Sequence, residues 1–326
     1  MSLWWAILLL PVGICALVKG ADWLVDGAVA AAERLGMTPL VIGLTVVAMG
    51  TSAPEVASSI AAALTGSGDI AVGNVYGSNI ANLALVGGLC AIFRPLIVHR
   101  AVISRDIPLM LAAVFVLWPV MRNGTVSRFE AVLLLVCFTA ILAVMVSTER
   151  RRTIADRKVL AEVEAKIEKT ACHIPKSLGI SLFFVAVGLV CLSVGAHLTV
   201  QSASVLGRAV GISEAVIGLT VVAIGTSLPE LTASLVAVIK GHDDLSVGNL
   251  VGSNIFNALL VIGAAGLTKP FAANARFAGW DFWLMAGTSV VFAAVAFKFR
   301  RIPRPAGWVL LIGYCGYIAW LFLPGR

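Results

Sequence analysis

Charged residues are scarce in this sequence. Only 13% of its 326 residues are charged, whereas soluble globular domains carry about 25%. Hydrophobic residues make up 60% of the chain, and they run in long stretches of the kind that form transmembrane helices. The scarcity of charge therefore excludes an ordinary soluble domain and predicts an all-α integral membrane protein whose surroundings are a lipid bilayer.

Paired cysteines and a secretion signal are missing as well. The six cysteines occur singly, without a CxxC spacing, which favours unpaired thiols over disulfides or a zinc site. Residues 1–20 are apolar but lack a basic start and a clear cleavage site, so we interpret them as the first membrane span. We expect no resident cofactor.

Ten apolar segments can be marked along the chain. They cover residues 3–18, 39–65, 70–93, 106–121, 129–147, 177–206, 214–239, 245–267, 280–298 and 306–323. Between the fifth and the sixth lies a segment with eight basic and five acidic residues, which predicts a solvated linker that is helical in part. We therefore divide the chain into residues 1–147, a linker at 148–176, and residues 177–326.

The basic residues are distributed unevenly between the two ends of these spans. Eighteen of the 24 Lys and Arg residues fall in the linker or in loops on its side, and basic loops are retained in the cytoplasm. The asymmetry predicts a cytoplasmic linker and two periplasmic or extracellular termini, in what we take to be a bacterial inner membrane. It also accounts for the net charge of +7 without a nucleic-acid partner.

Two blocks of sequence occur twice at one constant offset. "GLTVVAMGTSAPE" at Gly43–Glu55 returns 175 residues later as "GLTVVAIGTSLPE", and "GNVYGSNIAN" at Gly73–Asn82 returns as "GNLVGSNIFN". Each half contains five apolar segments, so the second half must cross the membrane in the opposite sense. The pattern predicts ten transmembrane helices arranged as two inverted five-helix repeats, which is a transporter architecture. A duplicated structural bundle without transport is the alternative.

A proline lies inside the second and the seventh segments. Pro54 and Pro229 each remove a backbone donor and clash with the preceding turn, so the helix there kinks or breaks. In a bilayer the freed carbonyls need protein, water or an ion as partner. A kink alone is the usual outcome for a single proline, but here oxygen-bearing neighbours recur with it and favour a binding site. These neighbours are Thr51, Ser52, Glu55, Thr226, Ser227 and Glu230.

The third and eighth segments carry a complementary set. Ser78 and Asn82 are four residues apart and share one helix face, as do Ser253 and Asn257. Glycines four residues apart also recur, and such small-residue faces allow close helix packing. These glycines are Gly73, Gly77, Gly248 and Gly252. Close packing would bring the Ser and Asn oxygens beside the broken helices.

The repeated side chains offer almost only oxygen ligands, which suit hard cations such as Ca²⁺ and Na⁺. Two unpaired carboxylates are costly in a low dielectric, and one Ca²⁺ or two Na⁺ would neutralise both. We therefore expect the two cations to compete for one cavity. A charged, empty site should not cross the membrane easily, so the protein should exchange ions rather than leak them.

At these blocks the sequence resembles the sodium/calcium exchanger family of the calcium:cation antiporter superfamily, in its small prokaryotic form. The resemblance extends over the whole ten-span layout and implies alternating access, with the first and sixth spans sliding past a fixed core. It implies cation ligation by the side chains of Thr51, Ser52, Glu55, Ser78, Asn82, Thr226, Ser227, Glu230, Ser253 and Asn257 and by the carbonyls of Ala48 and Ala223.

One position departs from part of the family, since some members have Asp where this chain has Asn257. The missing acid leaves the ion ratio open and argues against potassium co-transport.

Other functions remain open at this point. A proton/calcium antiporter would use the same two glutamates, and a passive channel is disfavoured by the broken, acid-bearing helices. An intramembrane hydrolase using Ser52 or Ser227 would need a general base, and the motifs contain no His or Lys; we therefore expect no enzyme. The charged residues Lys19, Asp22 and Asp26 after the first span are expected to anchor it at the membrane interface. Oligomeric state is not encoded in these patterns.

Overall fold

The computed structural model describes residues 2–164, 177–211 and 223–321, and these are almost entirely helical. In chain order the helices are α1 (Leu3–Leu35), α2 (Pro39–Thr51), α3 (Ala53–Leu64), α4 (Gly68–Phe93), α5 (Val102–Met121), α6 (Arg128–Glu164), α7 (Leu178–Ala209), α8 (Ala223–Thr226), α9 (Leu228–Ile239), α10 (Asp243–Thr268), α11 (Trp280–Phe299) and α12 (Arg304–Leu321). Two-residue strands β1 (Leu96–Ile97), β2 (Thr125–Val126), β3 (Phe271–Ala272) and β4 (Arg301–Ile302) lie in the connections.

Seven helices in the described ranges are long and apolar enough to cross a membrane, namely α1, α4, α5, α6, α7, α10 and α11. Helices α2 and α3 are bent by 42° relative to each other and form an eighth, broken span. The chain is thus a multi-pass membrane protein. The expected seventh segment, 214–239, lies partly outside the described residues, and the tenth coincides with α12, which is not among the seven.

The first predicted span, 3–18, was too short. Helix α1 continues through the charged residues to Leu35, where Gly36 adopts a left-handed conformation (φ 63°) and ends the helix; glycine does so without steric cost. The charges are tolerated inside α1 because they are paired. The Lys240 Nζ atom lies 3.1 Å from Asp22 Oδ1 and 2.8 Å from Asp26 Oδ1. Anchoring of α1 at the membrane interface by these charges stays a prediction.

Secondary structure repeats with the sequence. Helices α3 and α9 have twelve residues each and begin 175 residues apart. Each of α4 and α10 contains a π-helical turn, at Ala81–Val86 and Phe256–Val261, and these turns carry the two predicted asparagine ligands. Such turns are rare and often mark functional sites. The sequence repeat is therefore also a repeat of backbone conformation.

Helices α1 and α7 pack against each other in antiparallel fashion through small residues. A Cβ atom at Gly20 would lie 2.9 Å from the main-chain oxygen of Gly188, and one at Gly13 would lie 3.0 Å from that of Gly195. No side chain larger than hydrogen fits at such distances. The two long helices therefore contact each other almost backbone to backbone.

The ends of the bundle are tied by strand pairs between the halves. Strand β1 pairs with β4 at the end where α6 enters the linker, which we call the linker end. Strand β2 pairs with β3 at the opposite end. Among the candidate spans, α4 and α10 are the most buried: 83% of the residues in their most apolar stretches are buried, against 22% in α1. Side chains on α4 and α10 are therefore well placed to form a site shielded from lipid.

Candidate cation site

The two helix breaks lie where the prolines predict them. Ser52 leaves the helical conformation (φ −84°, ψ 3°) between α2 and α3, and Ser227 does the same (φ −90°, ψ 5°) between α8 and α9. Each break places a glutamate, Glu55 or Glu230, in the first turn of the following helix. The amino end of a helix carries partial positive charge and favours a carboxylate.

Both glutamates are completely buried, with 0% exposure. The hydroxyl of Ser78 donates to Glu55 Oε1 at 3.4 Å, within the first half of the chain. The hydroxyl of Ser52 donates to Glu230 Oε1 at 3.2 Å, which links the two halves. The carboxylates are close enough for their charges to interact. The structure therefore brings together the acids that the repeat singled out and turns them away from lipid.

Around these carboxylates lies a group of buried polar atoms without a hydrogen-bond partner. The atoms are Glu55 Oε2, Glu230 Oε2, Ser227 Oγ, Ser253 Oγ and both amide atoms of Asn82 and of Asn257. Buried polar atoms almost always have partners, and the cost of leaving them unpaired is highest in a membrane. A hard cation bound by oxygen would satisfy the carboxylate, hydroxyl and amide oxygens at once.

The remaining predicted ligands are Thr51, Ala48, Thr226 and Ala223. Thr51 is buried, and its hydroxyl is 3.1 Å from the Val47 carbonyl oxygen. The Ala48 carbonyl accepts a hydrogen bond from the Ser52 amide at 3.0 Å, and the Thr51 hydroxyl oxygen lies 3.4 Å from it. This carbonyl therefore already has partners within the protein. Thr226 is half-buried beside a cavity, and Ala223 begins the short helix α8.

The glycine face of α10 packs as expected. A Cβ atom at Gly248 would lie 2.7 Å from the Leu40 carbonyl oxygen, and one at Gly252 would lie 2.7 Å from that of Leu44, so α10 packs tightly on α2. On α4, a Cβ at Gly77 would meet none of the described residues within 4 Å. The segment that repeats α2 is 214–226, which lies mostly outside the described residues, so close packing of the α4 glycines stays a prediction.

The face of α4 that carries Gly73 and Gly77 lines a cavity of about 170 Å³. The cavity reaches Ser78 of the candidate site, and its walls also include Asn74, Thr226 and the end of α12 at Tyr314 and Tyr317. Since α4 begins and α12 ends away from the linker, the cavity lies toward the opposite end of the bundle. A second cavity of about 230 Å³ is lined by Pro54, His197, Thr226 and Pro229. It lies beside α7 and next to both helix breaks, the one between α2 and α3 and the one between α8 and α9.

Sequence reasoning missed two residues that support the glutamates. Asn74 donates through Nδ2 to Ser59 Oγ at 3.0 Å and to the Glu55 carbonyl oxygen at 3.3 Å. Asn249 donates through Nδ2 to Ser234 Oγ at 2.9 Å. All of these residues recur at the offset of 175, so the repeat contained the signal, although the contacts themselves depend on how the helices pack.

The side chains of the site are therefore hydroxyls, amides and carboxylates. Within the ranges that the structure describes, no group of three or more His, Cys, Asp or Glu residues is arranged to hold a metal ion. The cysteines that fall in those ranges are unpaired, in agreement with the prediction of free thiols.

Comparison with known proteins decides the family. The model of the sodium/calcium exchanger protein family matches residues 5–147 and 180–323, which is most of the chain and both repeats. The chain belongs to the sodium/calcium exchanger family. The resemblance inferred from the two repeated blocks is thereby confirmed.

Relatives of similar length span nearly the whole chain. The inner membrane protein YrbG of Escherichia coli is 38% identical over 96% of this chain and 94% of its own. The sodium/calcium exchanger MaX1 of Methanosarcina acetivorans is 29% identical over 97% and 98%. The solved structure of the sodium-calcium exchanger NCX_Mj, soaked without Na⁺ and Ca²⁺, is 30% identical, covers 98% of this chain and 100% of its own, and superposes with a TM-score of 0.82.

Proposed function

We propose that this family member is a secondary antiporter that exchanges Ca²⁺ for Na⁺ at the candidate site. The observation that carries the proposal is the pair of fully buried carboxylates, Glu55 and Glu230, each with one oxygen that has no partner in the protein. Buried oxygens of Asn82, Ser227, Ser253 and Asn257, which come from both halves, also lack a hydrogen-bond partner. Oxygen donors in this number suit Ca²⁺, which takes about six to eight oxygen ligands in flexible geometry.

The charge of the site gives a reason for coupled exchange. Two buried carboxylates cost several kcal/mol each when they lack a counter-charge. One Ca²⁺ or two Na⁺ neutralise them, whereas the empty site retains a formal charge of −2. The occluded state should therefore form readily when the site is loaded and rarely when it is empty. The consequence is obligatory exchange between the ions and not a leak of either one.

The same proposal includes the membrane arrangement. Ten transmembrane helices in two inverted repeats are supported by the constant offset between elements of the two halves, such as α3 and α9. The strand pairs β1–β4 and β2–β3, each of which joins the two halves of the chain, also support this arrangement. The linker end also collects the basic loop residues Arg94, Arg100, Lys240 and Arg300, which supports a cytoplasmic linker and termini on the other side of the bacterial inner membrane.

Sodium is the counter-ion that we favour, and protons are the alternative. Relatives named for sodium and calcium exchange, such as MaX1, and the solved structures of NCX_Mj soaked with Na⁺, Ca²⁺ or Sr²⁺ support Na⁺. Two buried carboxylates could also carry protons. Asn257 occupies a position where an acid would add a third negative charge, so potassium co-transport is not proposed. The hydrolase alternative is not carried forward, because the chain belongs to a family of exchangers. No resident cofactor is proposed.

The test is uptake of radioactive calcium into proteoliposomes. Vesicles loaded with Na⁺ and diluted into Na⁺-free medium should accumulate Ca²⁺, whereas vesicles loaded with choline should not. Glu55→Gln and Glu230→Gln should each reduce uptake by at least about 100-fold, because one buried carboxylate then lacks its symmetric counterpart and the site carries a single charge.

Three outcomes separate the alternatives. Uptake driven equally by a pH gradient in Na⁺-free vesicles would replace Na⁺ by protons as counter-ion. Uptake that needs no internal cation would refute coupled exchange. Full activity in both glutamine variants would refute the site. Protein reconstituted in either orientation and assayed from both sides would also test the proposed sidedness.

A further inference from the structure

Asn249 lies beside the candidate site without belonging to its predicted ligands. It sits on α10 and is only 1% exposed. Its Nδ2 atom donates to Ser234 Oγ at 2.9 Å and lies 3.5 Å from the main-chain oxygen of Glu230. Its Oδ1 atom is 3.3 Å from the hydroxyl oxygen of Thr51. One side-chain amide therefore contacts the first turns of α9 and the end of α2.

The first half of the chain forms the same arrangement. Asn74 on α4 donates to Ser59 Oγ at 3.0 Å and to the Glu55 main-chain oxygen at 3.3 Å. In both halves the serine follows the glutamate by four residues, so the asparagine holds one turn of helix at its two ends. An arrangement formed twice, on two separate pairs of helices, is not an accident of local packing.

These contacts bear on where the carboxylates point. A short helix that begins at a break has no preceding turn to hold its first residues. Its glutamate can be placed within the tolerance of a cation site only if the surrounding side chains fix that turn. The asparagine amides bridge α3 to α4 and α9 to α10 at the glutamate-bearing turn itself, in addition to the contact of Ser78 with the Glu55 carboxylate. Because they are buried or half-buried, losing one leaves polar atoms unpaired.

We propose that Asn249 and Asn74 are positioning residues, each of which holds the glutamate-bearing turn of its own half in the geometry that binds the cation. The proposal rests on the proposed function of the site. Asn249 has a second role, because its contact with Thr51 links the helical turn that carries Glu230 to a predicted ligand of the other half. Asn74 instead lines the 170 Å³ cavity, so the loss of Asn249 should have the larger effect.

The experiment is equilibrium binding of radioactive calcium to the purified full-length protein, which needs no transport. Asn249→Ala and Ser234→Ala should each weaken Ca²⁺ binding about tenfold, equivalent to about 1.4 kcal/mol, the scale of one buried hydrogen bond. The double variant should bind scarcely more weakly than Asn249→Ala, because both changes break the same contact. As a matched control, Asn249→Ala combined with Ser59→Ala should give the product of the two single effects, since those residues share no contact.

A second pair of measurements distinguishes positioning from a merely structural role. Asn249→Asp keeps the shape of the side chain but turns an acceptor toward the Glu230 carbonyl, so it should bind Ca²⁺ more weakly than Asn249→Ala. In Na⁺-driven uptake, the half-saturating Ca²⁺ concentration should rise about tenfold in Asn249→Ala while the maximal rate changes less than about threefold. A structural defect would lower the maximal rate and leave the half-saturating concentration unchanged.

Each result decides the proposal. Additive effects of Asn249→Ala and Ser234→Ala, or binding in Asn249→Asp equal to that of the original protein, would overturn it while leaving Ca²⁺/Na⁺ exchange intact. Failure of the original protein to bind Ca²⁺ would instead overturn the proposed function. If Asn249→Ala does not fold, the matching cycle of Asn74→Ala with Ser59→Ala tests the same contact in the other half.

Discussion

Helices α4 and α10 carry nearly the same motif but lie in different surroundings. On α10, Gly248 and Gly252 are pressed against α2, and Asn249 is sealed behind them. On α4, Asn74 lines a cavity that reaches Ser78, and a Cβ at Gly77 would meet no described residue within 4 Å. The two motifs agree at seven of ten positions. Among the described residues, α10 is therefore packed on α2 near the linker end, whereas α4 borders a cavity toward the other end.

The proposed exchange gives this contrast a testable consequence. If the related motifs of the two halves exchange roles during transport, a second conformation should exist in which α4 is packed and α10 borders a cavity. The transported ions would then meet the same ligands from either side. The hydrogen bonds of the carboxylates show the same asymmetry, since Ser52 donates to Glu230 whereas its counterpart Ser227 has no partner.

The largest effect should come from filling the sealed face. Gly252→Ala would place a Cβ 2.7 Å from the Leu44 carbonyl oxygen and 2.8 Å from Ala48 Cβ, and overpacking of this kind costs about 1–3 kcal/mol. Gly77→Ala meets no described residue within 4 Å and should change stability by less than about 0.5 kcal/mol. Thermal unfolding of both variants in one detergent checks the contrast; equal melting temperatures would contradict it.

Gly77→Ala also tests the second conformation. If α4 must pack as tightly as α10 does once per cycle, the added methyl group should slow Na⁺-driven Ca²⁺ uptake by about tenfold or more, in line with a penalty of 1–3 kcal/mol. Stability would be unaffected. Uptake at the original rate would show that Gly77 never enters a close contact.

An effect of comparable size is expected at one of the two break serines. Ser52→Ala removes a donor from the buried Glu230 carboxylate and should lower the stability of the ion-free protein by about 1.5–3 kcal/mol, the value of a hydrogen bond to a charged group. Ser227→Ala removes an unpartnered hydroxyl and should leave ion-free stability unchanged while weakening Ca²⁺ binding. Denaturation with and without Ca²⁺ measures both quantities, and the same response in both variants would remove the asymmetry.

The smallest effect should come from the ion pairs at the linker end. Partial burial lowers the pKa of Lys240, but the hydrogen bonds that its ammonium donates to Asp26 and Asp22 outweigh burial and raise the pKa, so Lys240 stays charged. The counterpart of Lys240 in the repeat is Thr65, so the pair has no charged equivalent in the first half. Exposed ion pairs contribute about 0–1 kcal/mol.

Lys240→Gln should accordingly change the rate of Na⁺-driven uptake by no more than about fivefold, and the effect should shrink at high salt, which screens exposed charges. Lys19→Gln is the control, because the Lys19 side chain is 68% exposed and its Nζ atom lies 3.6 Å from Asp22 Oδ2, which is farther than Lys240 Nζ lies from its partners. Recovery of the rate in Lys240→Asp combined with Asp26→Lys would assign the effect to the pair. A larger loss in Lys19→Gln would argue against it.

Much of the site could be predicted from the sequence, because its determinants are local. Pro54 and Pro229 break helices wherever they occur in a span, and the repeat identified the two glutamates as a pair. The length of α1 could not be predicted, since its charged residues are stabilised by Lys240, more than 200 residues away. The roles of Asn74 and Asn249 also depend on tertiary contacts. The cavity beside α4 could not be predicted either, because it depends on where the end of α12 packs.

Competition between the two cations at equilibrium is the most direct test of the central claim. Ca²⁺ binding to the purified protein should weaken as Na⁺ rises, with a dependence on more than one Na⁺ because two charges must be replaced, and it should be lost in Glu55→Gln and in Glu230→Gln. Ca²⁺ binding that is indifferent to Na⁺, or that survives in both glutamine variants, would contradict a single shared site.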